Sequence, residues 1–463
     1  PTASSYASDL GVMMAWGRIV TKATAKAEPL LVVCDDPWLF RHLSLVEGVS
    51  AGSAPPMWPT VLKLRLRGMA ARLKYAARAA YSALALRDHR RQFTETGTSA
   101  LLVYGHPGSS ADGNDAYFGG LMHEIPGLQR MLHVDCGVAR ARILAGSHTM
   151  SFHAWGSVLR TAGLVFARWR PSAEDKSGRY GWLVLRAAER EGGAAAAAAT
   201  RWQSICQAAW LTQAKPTAIA WPWEGHPWER ALIRAARGLG VKTVGYQHTV
   251  VGKHLYNYGI AANSDGMDGI PDKVLCNGPA YRDQLENWGV PADRLSVAGA
   301  FRLPTPRRLR VDPSAPVFVA LSSDPVISTQ MLQAIRGAIS NSRRAGRRYL
   351  LKEHPLYPFQ FEPEPGIERT DVEMTKHEAL SAVLYATGTV GLEAVMAGLP
   401  TVRFLPEGKV AIDILPLDIS VPTAEASELD DILAVAEPQN SIRRENIIAP
   451  VDMAHWKNCL ETA

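Results

Sequence analysis

Through most of the chain, short apolar or β-branched runs alternate with longer segments in which apolar residues recur every three or four positions. A strand buried on both faces reads as a continuous apolar run, and a helix lying on a sheet reads with the 3.6-residue period, so this alternation predicts an α/β protein with parallel sheets covered by helices. In the first half, strands are predicted at Leu30 to Cys34, Ala100 to Tyr104, Thr217 to Trp221 and Lys242 to Tyr246, with helices near 61–92, 147–169, 196–213 and 226–239. A strand at Lys273 to Cys276, a helix at Pro279 to Trp288 and a strand at Leu295 to Ala298 come next. Pro304, Pro306 and the basic stretch to Pro316 interrupt the pattern and read as a linker. Beyond it come strands at Val317 to Leu321, Arg348 to Lys352, Val383 to Tyr385 and Thr401 to Phe404, with helices at Ile327 to Asn341 and from Gly388. The expected organisation is a first domain over 1–305, a second over 306–440 and a terminal helix over 441–463 that crosses back. Two Rossmann-like units facing a central cleft satisfy this pattern.

Composition narrows the class. With 463 residues, 47% hydrophobic and 20% charged, the chain can bury a large core in two or three domains. Cys34, Cys136, Cys206, Cys276 and Cys459 form no CxxC pair or Cys/His cluster, so neither a disulfide framework nor a structural zinc is indicated and a reducing cytoplasm is expected. There is no run of 18 apolar residues and no signal-peptide pattern, which points to a cytoplasmic protein, neither membrane-spanning nor secreted. The net charge of +6 is regional: residues 61–91 hold nine Lys and Arg against Asp88 alone, a local excess of +8 that leaves −2 for the remainder. Leu62, Leu66, Met69, Leu73, Ala76, Ala77 and Ala80 recur among those cations at helical spacing. The pattern admits two readings: a solvated helix packed on the first domain by its apolar stripe, or a helix lying on the anionic inner leaflet. No aromatic interleaving or nucleic-acid motif accompanies the cations, so no nucleic-acid partner is expected.

In open α/β sheets ligands bind beyond the carboxyl ends of strands, and the candidate chemistry collects there. Ser322 and Ser323 come after one strand, Lys352-Glu353-His354-Pro355 after a second, and Thr387-Gly388-Thr389 after a third, with Glu393 one helical turn deeper. Turn amides and hydroxyls at a helix start attract phosphate, a lysine or histidine meets the charge that builds as a glycosyl bond breaks, and Glu393 accepts from ribose hydroxyls. Together these read as a nucleotide-sugar site. In the first domain, Glu224 lies between Trp223 and Trp228 after one strand and His248 after the next. Apolar walls are expected to raise the Glu224 pKa and suit it to accept a proton, with His248 as second base or donor. The loop carrying His106, Asp112, Asp115 and Tyr117 suits sugar hydroxyls and ring faces, and Asp36, in an Asp35-Asp36 pair, is a further acceptor-side candidate. That pair lacks the spacing of a metal-binding carboxylate set, and no metal is expected.

On His354-Pro355 after Lys352, the Ser322-Ser323 pair and the Thr387 to Glu393 turn and helix, the chain resembles the GT-B glycosyltransferases. Within that class it is similar to the bacterial surface-carbohydrate sialyl-, polysialyl- and Kdo-transferases that use CMP-activated sugars. The resemblance, over about 217–405, implies that His354 contacts CMP and that Ser322, Ser323, Thr387 or Thr389 hold its phosphate. It further implies transfer of a CMP-activated ulosonic acid to a surface glycan or lipid-linked acceptor. The sialyltransferase acidic motif, two acids followed by Gly, has no counterpart, since Asp112-Gly113 and Asp265-Gly266 each carry one acid. Inverting chemistry with Glu224 or another acid as base and retaining chemistry with a carboxylate such as Glu224, Asp265 or Asp268 as nucleophile therefore stay open. The rivals are a nucleotide-sugar epimerase of the UDP-GlcNAc 2-epimerase type, which needs no acceptor pocket, and a non-catalytic nucleotide- or lipid-binding scaffold.

Overall fold

The apolar runs assemble into two separate parallel sheets. The computed structural model describes residues 8–26, 28–91, 96–146, 148–253, 255–262, 265–302, 307–341, 346–354, 357–409, 411–416, 419–439 and 444–461. Strands β1 (Ala100–Val103), β2 (Gln129–Leu132), β3 (Thr149–Ser151), β4 (Ala218–Pro222), β5 (Lys242–Gln247), β6 (Lys273–Cys276) and β7 (Leu295–Val297) form the first sheet in the order β3-β2-β1-β4-β5-β6-β7. A small ladder pairs β8 (Arg310–Val311) with β12 (Ala379–Leu380). The second sheet holds β9 (Val317–Ala320), β10 (Tyr349–Lys352), β11 (Ile367–Arg369), β13 (Ala382–Tyr385), β14 (Thr401–Phe404) and β15 (Thr423–Ala424), ordered β11-β10-β9-β13-β14-β15. Both orders run outward from the first strand and then reverse, the doubly wound pattern, which opens a crevice at the carboxyl ends of β1 and β4 and again at those of β9 and β13. The two units face one cleft, the GT-B arrangement.

The helices that cover the sheets and border the cleft include α1 (Leu10–Ala25), α2 (Pro37–Leu43), α3 (Met57–Ala85), α4 (Gly181–Arg190), α5 (Ala195–Ala214), α6 (Pro227–Arg237), α7 (Pro279–Asn287), α8 (Pro325–Asn341), α9 (Val390–Met396) and α10 (Met453–Glu461). The Ala-rich α5 packs against α3 and α6 and buries Trp202, Cys206 and Trp210. In α3 the one proline lies in the first turn, where its missing N–H removes no hydrogen bond. Gly68 permits close approach to the Gly193 carbonyl, which a Cβ would overlap. The packed side of α3 consists of the small residues Gly68, Ala76, Ala79, Ser82 and Ala83, whereas Leu62, Leu66, Met69 and Leu73 are exposed. This corrects the reading in which those four large residues pack on the first domain.

After the second sheet the chain returns to the first. The Ala449 N–H donates to the Asn277 carbonyl at 2.9 Å, that of Ala300 to Ala449 at 3.1 Å and that of Asp452 to Ala298 at 3.0 Å. Gly278 and Gly299 lie so close to the returning backbone that a Cβ at either would overlap the carbonyl of Ile447 or Pro450. The segment ends in α10, whose fully buried Trp456 packs edge-on against Phe118 and Tyr246, with ring centroids 5.6 and 5.1 Å apart.

Two predicted elements differ. Leu30 to Cys34 is not a strand: Leu31 and Val33 are 88% and 91% exposed and pair with nothing described. The region 147–169 is not one helix but β3 and then short turns (Phe152–Trp155, Val158–Thr161 and Ala162–Phe166), because Thr149 to Ser151 extends the sheet beside β2.

Candidate functional site

In the second unit, three strand ends open toward the cleft. After β9 the chain passes through Ser322 to Asp324 into α8, and the Asp324 carboxylate accepts from the Val326 N–H at 2.8 Å, capping the helix. Ser322 Oγ accepts from the Asp324 N–H at 3.1 Å and lies 3.1 Å from Thr387 Oγ1, spanning the crevice between β9 and β13. After β13, Gly388 adopts φ of 109°, a left-handed conformation that glycine takes without strain, and turns the chain into α9. Arg403 anchors the base of that turn by donating to the Ala386 carbonyl at 3.4 Å and the Ala411 carbonyl at 2.6 Å. After β10 comes His354, part-buried against Tyr357 with ring centroids 5.2 Å apart. Burial pushes the His354 pKa below that of a free histidine.

The first unit offers a carboxylate held between two imidazoles. His226 Nε2 lies 2.6 Å from one Glu224 oxygen and His248 Nε2 lies 3.3 Å from the other. The turn that presents them is shaped from below by Glu229, fully buried on α6. Its carboxylate accepts the Gly225 N–H at 2.8 Å and the Glu224 N–H at 3.2 Å. Gly225, at φ of 73°, allows the Asn257 carbonyl to approach, and the Asn257 amide donates to the Glu224 carbonyl. Tyr117 packs edge-on against His248 with centroids 5.2 Å apart, and the Arg302 guanidinium lies 4.6 Å from the centre of the Tyr117 ring.

The electrostatics divide these groups. Burial works against the Glu224 charge, but the His226 hydrogen bond and the fields of His248, His226 and Arg302 outweigh it, so the carboxyl is held below its ordinary value. The expected upward shift at Glu224 is therefore corrected; it falls instead on Glu229, which burial raises to about 7. Burial lowers His226, yet its hydrogen bond to Glu224 and the charges of Glu229 and Glu224 carry it above the ordinary value. His248 is lowered by burial to about 4 and is neutral at pH 7. A carboxylate that raises the basicity of an adjacent imidazole is the arrangement of a general base and its orienting partner. Sequence reasoning did not single out His226; its place two residues after Glu224 in the same turn was the available signal.

Glu229→Ala is expected to destabilise the fold by about 2 kcal/mol, because the part-buried N–H groups of Glu224 and Gly225 lose their acceptor. A melting curve checks this, and an unchanged midpoint would show that the turn holds without it.

A cleft of about 1560 Å³ lies between the units. Ser322, Ser323, His354, Thr387, Gly388 and Thr389 line one side. On the other are Gly225, Pro227 and Thr249, the chain neighbours of Glu224, His226 and His248, together with Arg230 and residues of α1 and α3; the Glu224, His226 and His248 side chains lie behind these and are not themselves among the lining residues. The volume exceeds the roughly 300–1,000 Å³ of a pocket for one small ligand. The units also meet at Gly252, whose α-carbon lies against the Asp413 and Ile414 backbone, and at a Lys253 to Asp413 ion pair of 3.7 Å.

The other candidates lie differently. Glu393 accepts from the Thr389 hydroxyl at 3.1 Å, and burial raises its pKa; Lys352 donates to the Asp371 carbonyl at 2.6 Å. Neither is among the residues lining the cleft. Pro355 lies outside the described residues. Asp36 caps α2 by accepting from the Trp38 and Leu39 N–H groups and pairs with Arg186 at 2.5 Å, a structural role in place of the expected acceptor contact. Asp115 is buried, accepts from the Tyr117 N–H at 2.8 Å and lies 3.6 Å from Arg130, so it too is committed to the fold. Asp112 accepts from the Asn114 N–H and the Ser110 hydroxyl within its own exposed turn, and His106 Nδ1 accepts from the Gly108 N–H at 3.0 Å. Of the acceptor-side candidates, Tyr117 is the one in ring contact with His248. Asp265 and Asp268 pair with Arg234 and Arg237 at 2.6 and 3.1 Å. Among the described residues no group of three or more His, Cys, Asp or Glu side chains is arranged to hold a metal ion.

No protein-family model and no curated protein matches the chain. Among solved structures it is similar to MurG of Acinetobacter baumannii, at 11% identity and TM-score 0.45 over 79% of this chain and 100% of that one. It is also similar to the lipopolysaccharide outer core galactosyltransferase WaaB in its apo form, at 11% identity and TM-score 0.41 over 79% and 99%. A third is the Methanocaldococcus jannaschii UDP-GlcNAc 2-epimerase in complex with UDP-GlcNAc and UDP, at 10% identity and TM-score 0.45 over 79% and 100%. At such values the likeness carries no argument about chemistry, and the fold assignment rests on the two doubly wound strand orders.

Proposed function

We propose that the protein is a glycosyltransferase that takes its sugar from a nucleotide donor held by the second unit and passes it to an acceptor hydroxyl near Glu224, His226 and His248. The observation that supports this most is the opening of three strand-end loops, at Ser322 to Ser323, His354 and Thr387 to Thr389, into one cleft bordered opposite by the turns that carry the imidazole and carboxylate group. In this reading His226, its basicity raised by Glu224, accepts the proton of the acceptor hydroxyl. That oxygen attacks the anomeric carbon, and the bond from this carbon to the donor phosphate breaks. Donor groups of the His354 and Thr387 to Thr389 loops meet the charge left on the phosphate.

The finer reading is a CMP-activated ulosonic acid as donor, with a bacterial surface glycan or lipid-linked acceptor. It draws on the His354 and hydroxyl-rich loops alone. An epimerase would need no acceptor space, and the extension of the cleft along α1 and α3 favours transfer.

Melting the protein with CMP, UDP, GDP or dTDP tests the donor class. A bound nucleotide at 100 times its Kd adds about 2.7 kcal/mol of stability, and CMP is expected to give the largest rise. A larger rise with UDP would replace the CMP reading, and no rise with any of the four would overturn the nucleotide site. Turnover of a nucleotide sugar to its epimer without acceptor would favour the epimerase.

A further inference from the structure

Helix α3 is amphipathic in the opposite sense to a packed helix. Its buried face is built from small residues, while Trp58, Leu62, Leu66, Met69 and Leu73, spaced four, four, three and four apart, form one stripe whose members are 49–72% exposed. Trp16 and Ile19 on α1, whose inner side also walls the cleft, are 42% and 50% exposed. Lys63 and Lys74 stand exposed along one edge of the stripe, within the segment whose local excess is +8, while on the other edge Arg65 pairs with Glu189 at 3.2 Å and Arg72 donates to the Val165 carbonyl at 2.7 Å. An apolar stripe edged by cations matches a surface with an apolar interior and an anionic rim.

We propose that the outer face of α3 docks on an anionic phospholipid bilayer, lying in its interfacial layer with the apolar stripe inward and the cations among the headgroups. Among the described residues no helix is long and apolar enough to cross a membrane, so the contact is at the surface. The inner side of the same helix, through Leu64, Gly68 and Ala71, walls the cleft. One helix diameter, about 10 Å, then separates the bilayer from the cleft, and an acceptor anchored in the membrane reaches it from the side. The bilayer contact does not depend on the identity of the donor.

Co-sedimentation with phosphatidylethanolamine/phosphatidylglycerol vesicles, against pure phosphatidylcholine vesicles, tests it. The protein is expected to sediment with the anionic vesicles and to be released by salt. A variant carrying Leu62→Gln, Leu66→Gln, Met69→Gln and Leu73→Gln is expected to bind about tenfold or more weakly. Lys63→Gln with Lys74→Gln is expected to bind severalfold more weakly, with a flatter salt dependence. All four apolar positions are exposed, so circular dichroism and nucleotide-induced melting shifts are expected to match the parent, which separates this outcome from failure of the glycosyl-transfer reading. No sedimentation of the parent with anionic vesicles, or full binding by the apolar variant, would overturn the proposal. So would a vesicle-free self-association that the apolar variant abolishes, which would assign the face to a second copy of the chain.

Discussion

Glu224→Gln is expected to lower turnover by about a thousandfold while leaving nucleotide affinity within about twofold. The substitution keeps the shape of the turn, since Glu229 and Asn257 hold it through backbone groups, and removes the charge between His226 and His248. It also carries a pH signature. Glu224 lifts the His226 pKa above its ordinary value, so a limb of kcat/KM that reports His226 lies above about 6.5 in the parent and moves to lower pH in the variant. A purely structural Glu224 would lower the rate at all pH values without moving the limb. The linkage runs the same way for stability. His226, raised in the fold, stabilises it fully below the unfolded pKa and loses that contribution as pH rises through the folded value. Glu224, lowered in the fold, stabilises above its unfolded pKa and loses that contribution as pH falls through the folded value.

His354→Ala is expected to weaken binding of the preferred nucleotide about 10- to 100-fold, the range for loss of a hydrogen bond to a charged group, with KM rising in step. Burial holds His354 below its usual pKa, so the imidazole of the unliganded site is largely neutral at pH 7. A phosphate beside the imidazole favours its charged form and raises that pKa on binding. Binding then takes up a proton, and affinity in the parent increases as pH falls toward about 6. Titration calorimetry across pH should show this slope in the parent and a flatter one in the variant. Unchanged affinity would remove His354 from the donor site.

Much of this geometry is legible in the sequence. Runs such as Val317 to Leu321 and Lys242 to Tyr246 carry enough β-branched and apolar residues to be strands wherever they dock, and the chemistry sits directly after them. Leu30 to Val33 has the same composition but no neighbouring strand to pair with among the described residues, and composition alone does not supply one. The opposite error arises at β2, where Gln129 and Arg130 hide a fully buried strand. Arg130 is buried because it donates to the Thr149 hydroxyl at 3.1 Å and faces Asp115, partners that only the folded sheet assembles. At the site, Glu224 is legible as a carboxylate between tryptophans, but the sign of its pKa shift is not. It depends first on the His226 hydrogen bond, which only the folded turn forms, and then on His248 and Arg302, which lie far along the chain. Glu229, on a helix whose period reads as amphipathic, gives no sign in the sequence that it is wholly enclosed.

The return of the chain means that the backbone passes between the two units twice, after β7 and before α10, while Gly252 and the Lys253 to Asp413 pair bring them together at a third place. The glycine seams at Gly278 and Gly299 keep the returning chain flush against the first unit, so a side chain at either would have to push the Ile447 or Pro450 backbone off that unit.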